Sequence, residues 1–260
     1  MTNAEYHAAT GISSSDFRLL EKSPLHLEHK ELFALEGDRL NLGSLVHKMV
    51  LEPDTVEEEF AREDFEGCDL NKNSKVYKEA KAEWLETVGD RTVVPVNMWQ
   101  QAERMAGNVM AIAGGLLQNG AAEESIFVDD PLYEVRRKCR PDYYREDLQL
   151  VIDLKTTGDA TEWGFSSSIQ KYRYHRQAAW YLDTLGMAGK EVSRFVFVAV
   201  ETSAPHMVSV FEIDPIAIDA GRDDYNALLQ RWYDYKLTGR ANVVRPISLP
   251  DWAVKQYMEV

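Results

Sequence analysis

The stretch Val151-Ile152-Asp153-Leu154-Lys155-Thr156-Thr157 is the most informative in the chain. With the period of two of a β-strand, Leu150, Ile152 and Leu154 share one face and Val151, Asp153 and Lys155 the other. A carboxylate and an amine therefore sit side by side. Upstream, Cys139-Arg140-Pro141-Asp142 places another carboxylate on a second strand-like run, and Arg145-Glu146-Asp147 supplies polar turn chemistry between the two runs. Pairing of these runs as a hairpin would bring Asp142, Asp153 and Lys155 together.

That trio has a specific use. Two carboxylates at the end of a bent hairpin offer hard oxygen ligands to Mg²⁺ or Mn²⁺ and leave positions open for water and a phosphate. A metal held there would lower the pKa of its water and offset charge at phosphorus, while an adjacent lysine orients the nucleophile or stabilises the transition state. Taken alone, Asp-x-Lys fits an ordinary exposed hairpin with an ion pair equally well, so the motif needs its context.

At 260 residues and 45% hydrophobic content, the chain can bury a substantial core as one domain spanning residues 1–260. Neither a long apolar run nor a basic and apolar leader at Met1 to Thr10 is present, which predicts a cytoplasmic protein without a membrane span. Cys68 and Cys139 lack metal-ligand spacing and read as reduced residues. The formal charge of −14 disfavours loose electrostatic binding to nucleic acid, but its distribution is uneven. Acid concentrates between Glu52 and Glu66. Base gathers in Arg136-Arg137-Lys138-Arg140 and in Lys171, Arg173 and Arg176, flanking the Asp–Lys stretch; Arg137, Arg140, Lys171, Arg173 and Arg176 are the candidate DNA contacts. Lys72, Lys75, Lys78 and Lys81 read as a solvated stripe.

Residues 1–120 read as mostly helical. Ser13 to Asp16 offer capping chemistry before Phe17, Pro24 ends that helix, Leu25 to Leu35 is amphipathic, and Gly37-Asp38 opens a turn. A helix over Asn41 to Leu51 puts Gly43 and His47 on one face, leaving room beside the imidazole. Such a histidine serves as a partly buried core residue or as a ligand. Phe60 to Ser74 reads as a polar loop, and helices follow over Lys75 to Val88 and Asn97 to Gln118. From Ala121 to about residue 214 the pattern shifts to strands: Glu123 to Val128, Leu132 to Tyr144, the Asp153 strand, the apolar run Phe195 to Val200, and His206 to Ile213. Glu123 or Glu124 could approach the site, or could be a solvated strand-start glutamate. Thr161 to Ile169 reads as a lid or short helix. On the helix from Tyr172 to Leu182, Gln177 and Tyr181 lie one turn apart, suited either to ordering a phosphate or a metal-bound water or to a polar rim on a packing helix. Pro215 opens a last helix to about Leu237, and the tail Ile247 to Ala253, with Trp252, is expected to dock.

The ordered succession Gly43-x-x-x-His47, Glu123, Pro141-Asp142, Asp153-Leu154-Lys155 and Gln177-x-x-x-Tyr181 resembles the RecB-like branch of the PD-(D/E)xK nucleases. More closely it resembles the nuclease domain of RecE-type 5′→3′ double-strand DNA exonucleases. Ile12-Ser13-x-Ser15-Asp16, Leu51-Glu52-Pro53, Tyr172-Arg173-Tyr174-His175-x-Gln177 and Leu249-Pro250-x-Trp252-Ala253 extend the likeness over nearly the full length. The resemblance implies an α/β fold with a restriction-endonuclease-like core, a central mixed sheet flanked by helices and an N-terminal helical embellishment. It implies Mg²⁺, with Mn²⁺ as the alternative, on His47, Asp142, Asp153 and the carbonyl of Leu154. Lys155 would then act on the attacking water, Gln177 and Tyr181 would support it, and Glu123 would assist. It further implies a ring-shaped homo-oligomer on duplex DNA ends, handing a 3′ single strand to a RecT-like annealing protein. The competing readings are an endonuclease, a single-strand-specific RecB-like nuclease, and a non-catalytic DNA-end-binding subunit.

Overall fold

The alternation around Asp153 forms a strand, Leu150–Thr157, in the middle of a five-stranded mixed sheet. The computed structural model describes residues 1–33, 42–239, 247–250 and 253–254. Its helices are α1 (Asn3–Ala8), α2 (Phe17–Lys22), α3 (Pro24–Glu28), α4 (Leu42–Leu51), α5 (Val56–Glu59), α6 (Lys75–Val88), α7 (Val96–Ala113), α8 (Glu162–Tyr172), α9 (Tyr174–Met187) and α10 (Pro215–Thr238). Its strands are β1 (Phe60–Arg62), β2 (Thr92–Val94), β3 (Ala121–Ala122), β4 (Ile126–Asp130), β5 (Val135–Cys139), β6 (Tyr143–Arg145), β7 (Leu150–Thr157), β8 (Arg194–Glu201) and β9 (Val208–Glu212).

The main sheet has the order β3-β6-β7-β8-β9. β6 and β7 form the expected hairpin, with Tyr143 opposite Ile152. β8 adds to β7 in parallel over eight residue pairs, and β9 closes the other edge antiparallel. The continuous apolar run of β8 suits this position, because a strand covered on both faces has no side left for polar residues.

Helices cover both faces, as the sequence predicts. Leu150, Ile152 and Leu154 join Val196, Val198 and Val200 against Leu45 and Val46 of α4 and Met105 and Val109 of α7. On the opposite face Val151, Phe195 and Phe197 meet Phe165 of α8, Trp180 and Leu185 of α9, and Leu229 of α10. Each fully buried side chain of this size contributes roughly 1.5–3 kcal/mol, so the two clusters clamp β7 between them. Helix starts follow their caps: Ser74 accepts from the Tyr77 N–H, Thr161 from Gly164, and Asp214 from Ala217 ahead of Pro215. α10 lies unusually close to α9 at Gly221, where an added Cβ would fall 2.3 Å from the carbonyl oxygen of His175.

Several sequence expectations change. The run Phe60 to Ser74 is not all loop: β1 pairs in parallel with β2, a three-residue ladder too short to leave a periodic signal. The run Leu132 to Tyr144 is two strands, β5 pairing with β4 and β6 with β7, separated at Arg140–Asp142. The helix predicted to Gln118 ends at Ala113, before Gly114-Gly115. The single helix expected from Tyr172 is interrupted at Arg173, which takes left-handed backbone angles with φ 58°. The segment from Leu25 ends as a helix at Glu28 and continues as a 3₁₀ turn over Lys30–Phe33. Asn41, the Gly37-Asp38 turn and Trp252 lie outside the described residues, while Ile247 and Leu249 are exposed. Among the described residues, no helix is long and apolar enough to cross a membrane.

Candidate active site

The β6–β7 register sets the site. Continuing it by one residue puts Asp142 opposite Asp153, and Asp142 Oδ2 accepts the Leu154 N–H at 2.7 Å. Asp142 sits in the short break between β5 and β6 rather than in a ladder. Asp153 lies on β7 with 0% of its surface exposed. Its Oδ2 accepts from Gln177 Nε2 at 2.9 Å, whereas Oδ1 lies against the Lys155 ammonium without a hydrogen bond of good geometry. Gln177 is aimed by α9, and buried Tyr181 one turn later hydrogen-bonds to it.

α4 brings the imidazole. Gly43 and His47 face the strands, with His47 Nδ1 at 3.3 Å from Asp142 Oδ2 and a further hydrogen bond to the backbone of Leu154. Glu123 arrives from the other side. It follows β3 in left-handed backbone angles, φ 53°, and its N–H donates to the Asp142 carbonyl at 3.1 Å. Ligand atoms of His47, Glu123 and Asp142 all lie within 4.8 Å of one another.

The electrostatics of this group are unbalanced. Burial, then the neighbouring Asp153, push the Asp142 carboxyl well above the usual carboxylate range. Burial and Asp142 likewise raise Glu123, although Arg140 Nε donates to its Oε2 at 2.6 Å. Burial lowers His47, and Lys155 lowers it further, so the imidazole is held neutral and able to ligate. Burial alone would lower Lys155; Asp153 and Asp142 outweigh it, and the net shift is upward. Lys155 is therefore an ammonium here, placed for charge stabilisation rather than for taking a proton. Two carboxyls pushed up by burial and then by a neighbouring carboxylate, beside a neutral imidazole, form a donor set suited to a divalent cation, which would relieve the crowding.

The groups open into a cavity of about 340 Å³ lined by Gly43, His47, Glu123, Arg140, Lys155 and Tyr174. Of the expected ligands, His47 and Asp142 face one another, the Leu154 backbone lies between them, and Asp153 stands behind with its oxygens turned to Gln177 and Lys155. Glu123 enters the ligand group itself, which the adjacent Glu124 does not; Glu124 pairs with Lys190 instead. Local pattern does not separate these two glutamates, and only the family resemblance pointed to Glu123; in the structure the left-handed turn at 123 makes the choice. Tyr174, whose ring centroid lies 4.9 Å from the Lys155 ammonium, carries no sequence signal beyond its place in Tyr-Arg-Tyr-His-x-Gln.

Two expected DNA contacts are internal. Arg137 is buried, paired with Asp130 and placed over the ring of Trp180 at 4.5 Å, because alternation on β5 points it into the core. Arg176 is buried between Glu21 and Asp224. Arg140 reaches the site but is engaged by Glu123 and Ser125. Lys171 is exposed, and Arg173 is half-exposed with its Nε 3.8 Å from Glu21 Oε1.

A hairpin carboxylate pair, a following lysine, and a glutamine–tyrosine helix behind them form a PD-(D/E)xK-like core. The chain belongs to the family described as PDDEXK-like domain of unknown function (DUF3799), which matches residues 13–242. No curated protein matches it. Among solved structures, the chain is similar to a candidate exonuclease from Eubacterium rectale, with 14% identity and a TM-score of 0.57 over 95% of this chain and 96% of that one. At that identity the likeness speaks for the fold. A phage-related exonuclease from Haemophilus somnus 129PT matches at 14% identity over 82% of this chain and 100% of that one, with a TM-score of 0.35, and carries no argument.

Proposed function

We propose that this protein is a Mg²⁺-dependent 5′→3′ exonuclease that degrades one strand of linear double-stranded DNA and leaves a 3′ single strand. The observation that carries the reading is the convergence of His47, Glu123 and Asp142 within 4.8 Å, beside the buried Asp153–Lys155 pair. His47, Asp142 and Glu123, with Asp153 behind them, would hold Mg²⁺ or Mn²⁺. The bound ion would supply Lewis acidity and a more acidic water.

The chain's own residues do the rest. Gln177, steadied by Tyr181, fixes Asp153 against rotation, and Asp153 in turn positions the Lys155 ammonium. Lys155 stabilises the charge that develops on the phosphoryl oxygens and orients the attacking water. Lys171 and Arg173 hold backbone phosphates at the mouth. The DNA end is the substrate, the subunits close into a ring around the duplex, and a RecT-like annealing protein receives the product strand in the cytoplasm. Ring closure explains how a chain of charge −14 stays on a polyanion: topology replaces the electrostatic grip.

The test is Mg²⁺-dependent digestion of a linear duplex labelled at the 5′ or the 3′ end, beside a closed circle. Early release of the 5′ label with the circle intact is the expected result. Cutting of the circle would replace this reading with an endonuclease, and absence of cutting with either metal would leave a DNA-end-binding subunit.

A further inference from the structure

Beside the catalytic cavity lies a second cavity of about 360 Å³, within the range of ~300–1,000 Å³ usual for small-molecule sites. The two share Asn3, Glu123, Arg140 and Tyr174 in their linings, so whatever fills the second abuts the catalytic groups. Its distinguishing feature is a pair of rings. Tyr172 and Tyr174 stack with centroids 5.5 Å apart and planes 29° from parallel. On an uninterrupted helix, residues two apart point to nearly opposite sides. The left-handed Arg173 between them folds the rings together, a conformation that an L-residue adopts at a cost and that concentrates at functional sites.

The two rings have different surroundings. Tyr174 is anchored: it packs near Phe165 and Phe197 and lies under the Lys155 ammonium. Tyr172 is 56% exposed and adds little to the core. The exposed Lys171 ammonium lies 5.0 Å from its ring centroid, and half-exposed Arg173, whose Nε is 3.8 Å from Glu21 Oε1, follows it, so positive charge edges the aromatic surface. Across the cavity stand the small polar side chains of Ser13, Ser14 and Ser15. An exposed ring seated on an anchored ring, edged by cations and next to a phosphodiester-cleaving centre, has the chemistry of a nucleotide: an aromatic face for a base and positive charge for its phosphate.

We infer that Tyr172, backed by Tyr174, is a stacking platform for an unpaired DNA base flanking the scissile phosphate. The inference rests on the nuclease reading above and deepens it. Tyr172 acts as a positioning residue: stacking holds the cleaved strand out of the duplex, while Lys171 turns from the ring to the adjacent phosphate. Because every base has a π face, the platform tolerates any sequence but needs a base.

The test compares the wild-type protein with Tyr172→Ala and Tyr172→Phe on linear duplexes carrying a normal or an abasic nucleotide at the first or second position of the digested strand. The wild type and Tyr172→Phe are expected to show a KM raised on the order of tenfold by an abasic nucleotide at one of these positions, with kcat little changed. Tyr172→Ala is expected to show that raised KM on normal DNA and to ignore the missing base. A parallel binding measurement, with Ca²⁺ in place of Mg²⁺, follows quenching of 2-aminopurine at the same positions in a short single strand. Quenching by the wild type and Tyr172→Phe, lost in Tyr172→Ala, supports the platform even if nothing is cut, in which case the nuclease reading alone falls. Digestion in which Tyr172→Ala still discriminates against the abasic nucleotide, or in which neither abasic position matters to the wild type, overturns the platform and leaves the nuclease standing. Absence of both cutting and quenching removes both.

Discussion

Two buried carboxylates, Asp130 and Asp153, sit on neighbouring parts of the same fold and are handled in opposite ways. Asp130 is saturated. One oxygen takes Arg137 Nε at 2.7 Å and the other takes the Leu132 N–H at 2.8 Å, while the guanidinium rests over Trp180 and Tyr225. Asp153 has fewer partners: one oxygen accepts from Gln177, the other is ion-paired with Lys155, and Asp142 and Glu123 crowd the same pocket. The first arrangement is closed and serves the fold. The second keeps capacity for a cation, the capacity that the proposed chemistry would use. Burial of charge alone does not distinguish them; the completeness of pairing does.

The same substitution at both carboxylates puts that contrast to the test. Asp153→Asn should reduce DNA cleavage to background, the largest effect expected anywhere in the chain. It should lower the metal-free unfolding midpoint less than Asp130→Asn does, because Asp142 remains beside the Lys155 ammonium as a second counter-charge. A wild-type rate in this variant would remove Asp153 from the site. Lys155→Ala should lower turnover by ~10²–10⁴-fold while DNA-end binding persists in a mobility-shift titration. Loss of binding instead would make Lys155 a phosphate anchor. Asp130→Asn should do the reverse of Asp153→Asn. It strands the buried Arg137 charge at a cost of ~3–5 kcal/mol in urea denaturation, yet cleavage per folded molecule is retained.

The smallest effect is a pH dependence, and its sign follows from Asp142. Its folded-state pKa lies above the unfolded value, so the folded protein holds a proton that the unfolded chain gives up. The stability this contributes is fully present below about pH 4 and is lost as the pH rises through the folded pKa on the alkaline side of neutral. A cation displaces the same proton, so the gain in unfolding midpoint on adding Mg²⁺ should grow between pH 6 and pH 8.5. At 100 times its dissociation constant, the ion's stabilisation would reach ~2.7 kcal/mol. A Mg²⁺ gain independent of pH across this range would argue against Asp142 as a ligand.

How far the sequence reveals this contrast depends on the kind of information each part needs. Alternation alone places Asp153 and Lys155 together, opposite Leu150, Ile152 and Leu154, and the apolar run of β8 announces a covered strand. The hairpin to Asp142 follows from turn residues between two such runs. Residue pattern does not favour Glu123 over Glu124, since a single left-handed residue decides which of them turns inward; the resemblance alone singles out Glu123. Arg137 and Arg176 looked like free cations because charge is visible in a sequence and its partner is not. Asp130 lies seven positions from Arg137 and Glu21 lies 155 from Arg176. The Arg173 break was hidden for a related reason: Tyr172 to Leu182 has good helical composition throughout, and the interruption is imposed by how α8 meets α9.

Gly221 gives the site a mechanical tolerance. α10 carries none of the site residues, yet it bears on the α9 backbone at His175 and Arg176, next to the glutamine whose amide steadies Asp153. A methyl group at 221 would act as a wedge, driving that backbone away and spoiling the aim of Gln177. The aim of the glutamine is thus calibrated from behind, by the thickness of one hydrogen atom. A change at this position would register in an assay as a loss of chemistry and in a structure as a shift in packing, two descriptions of one displacement.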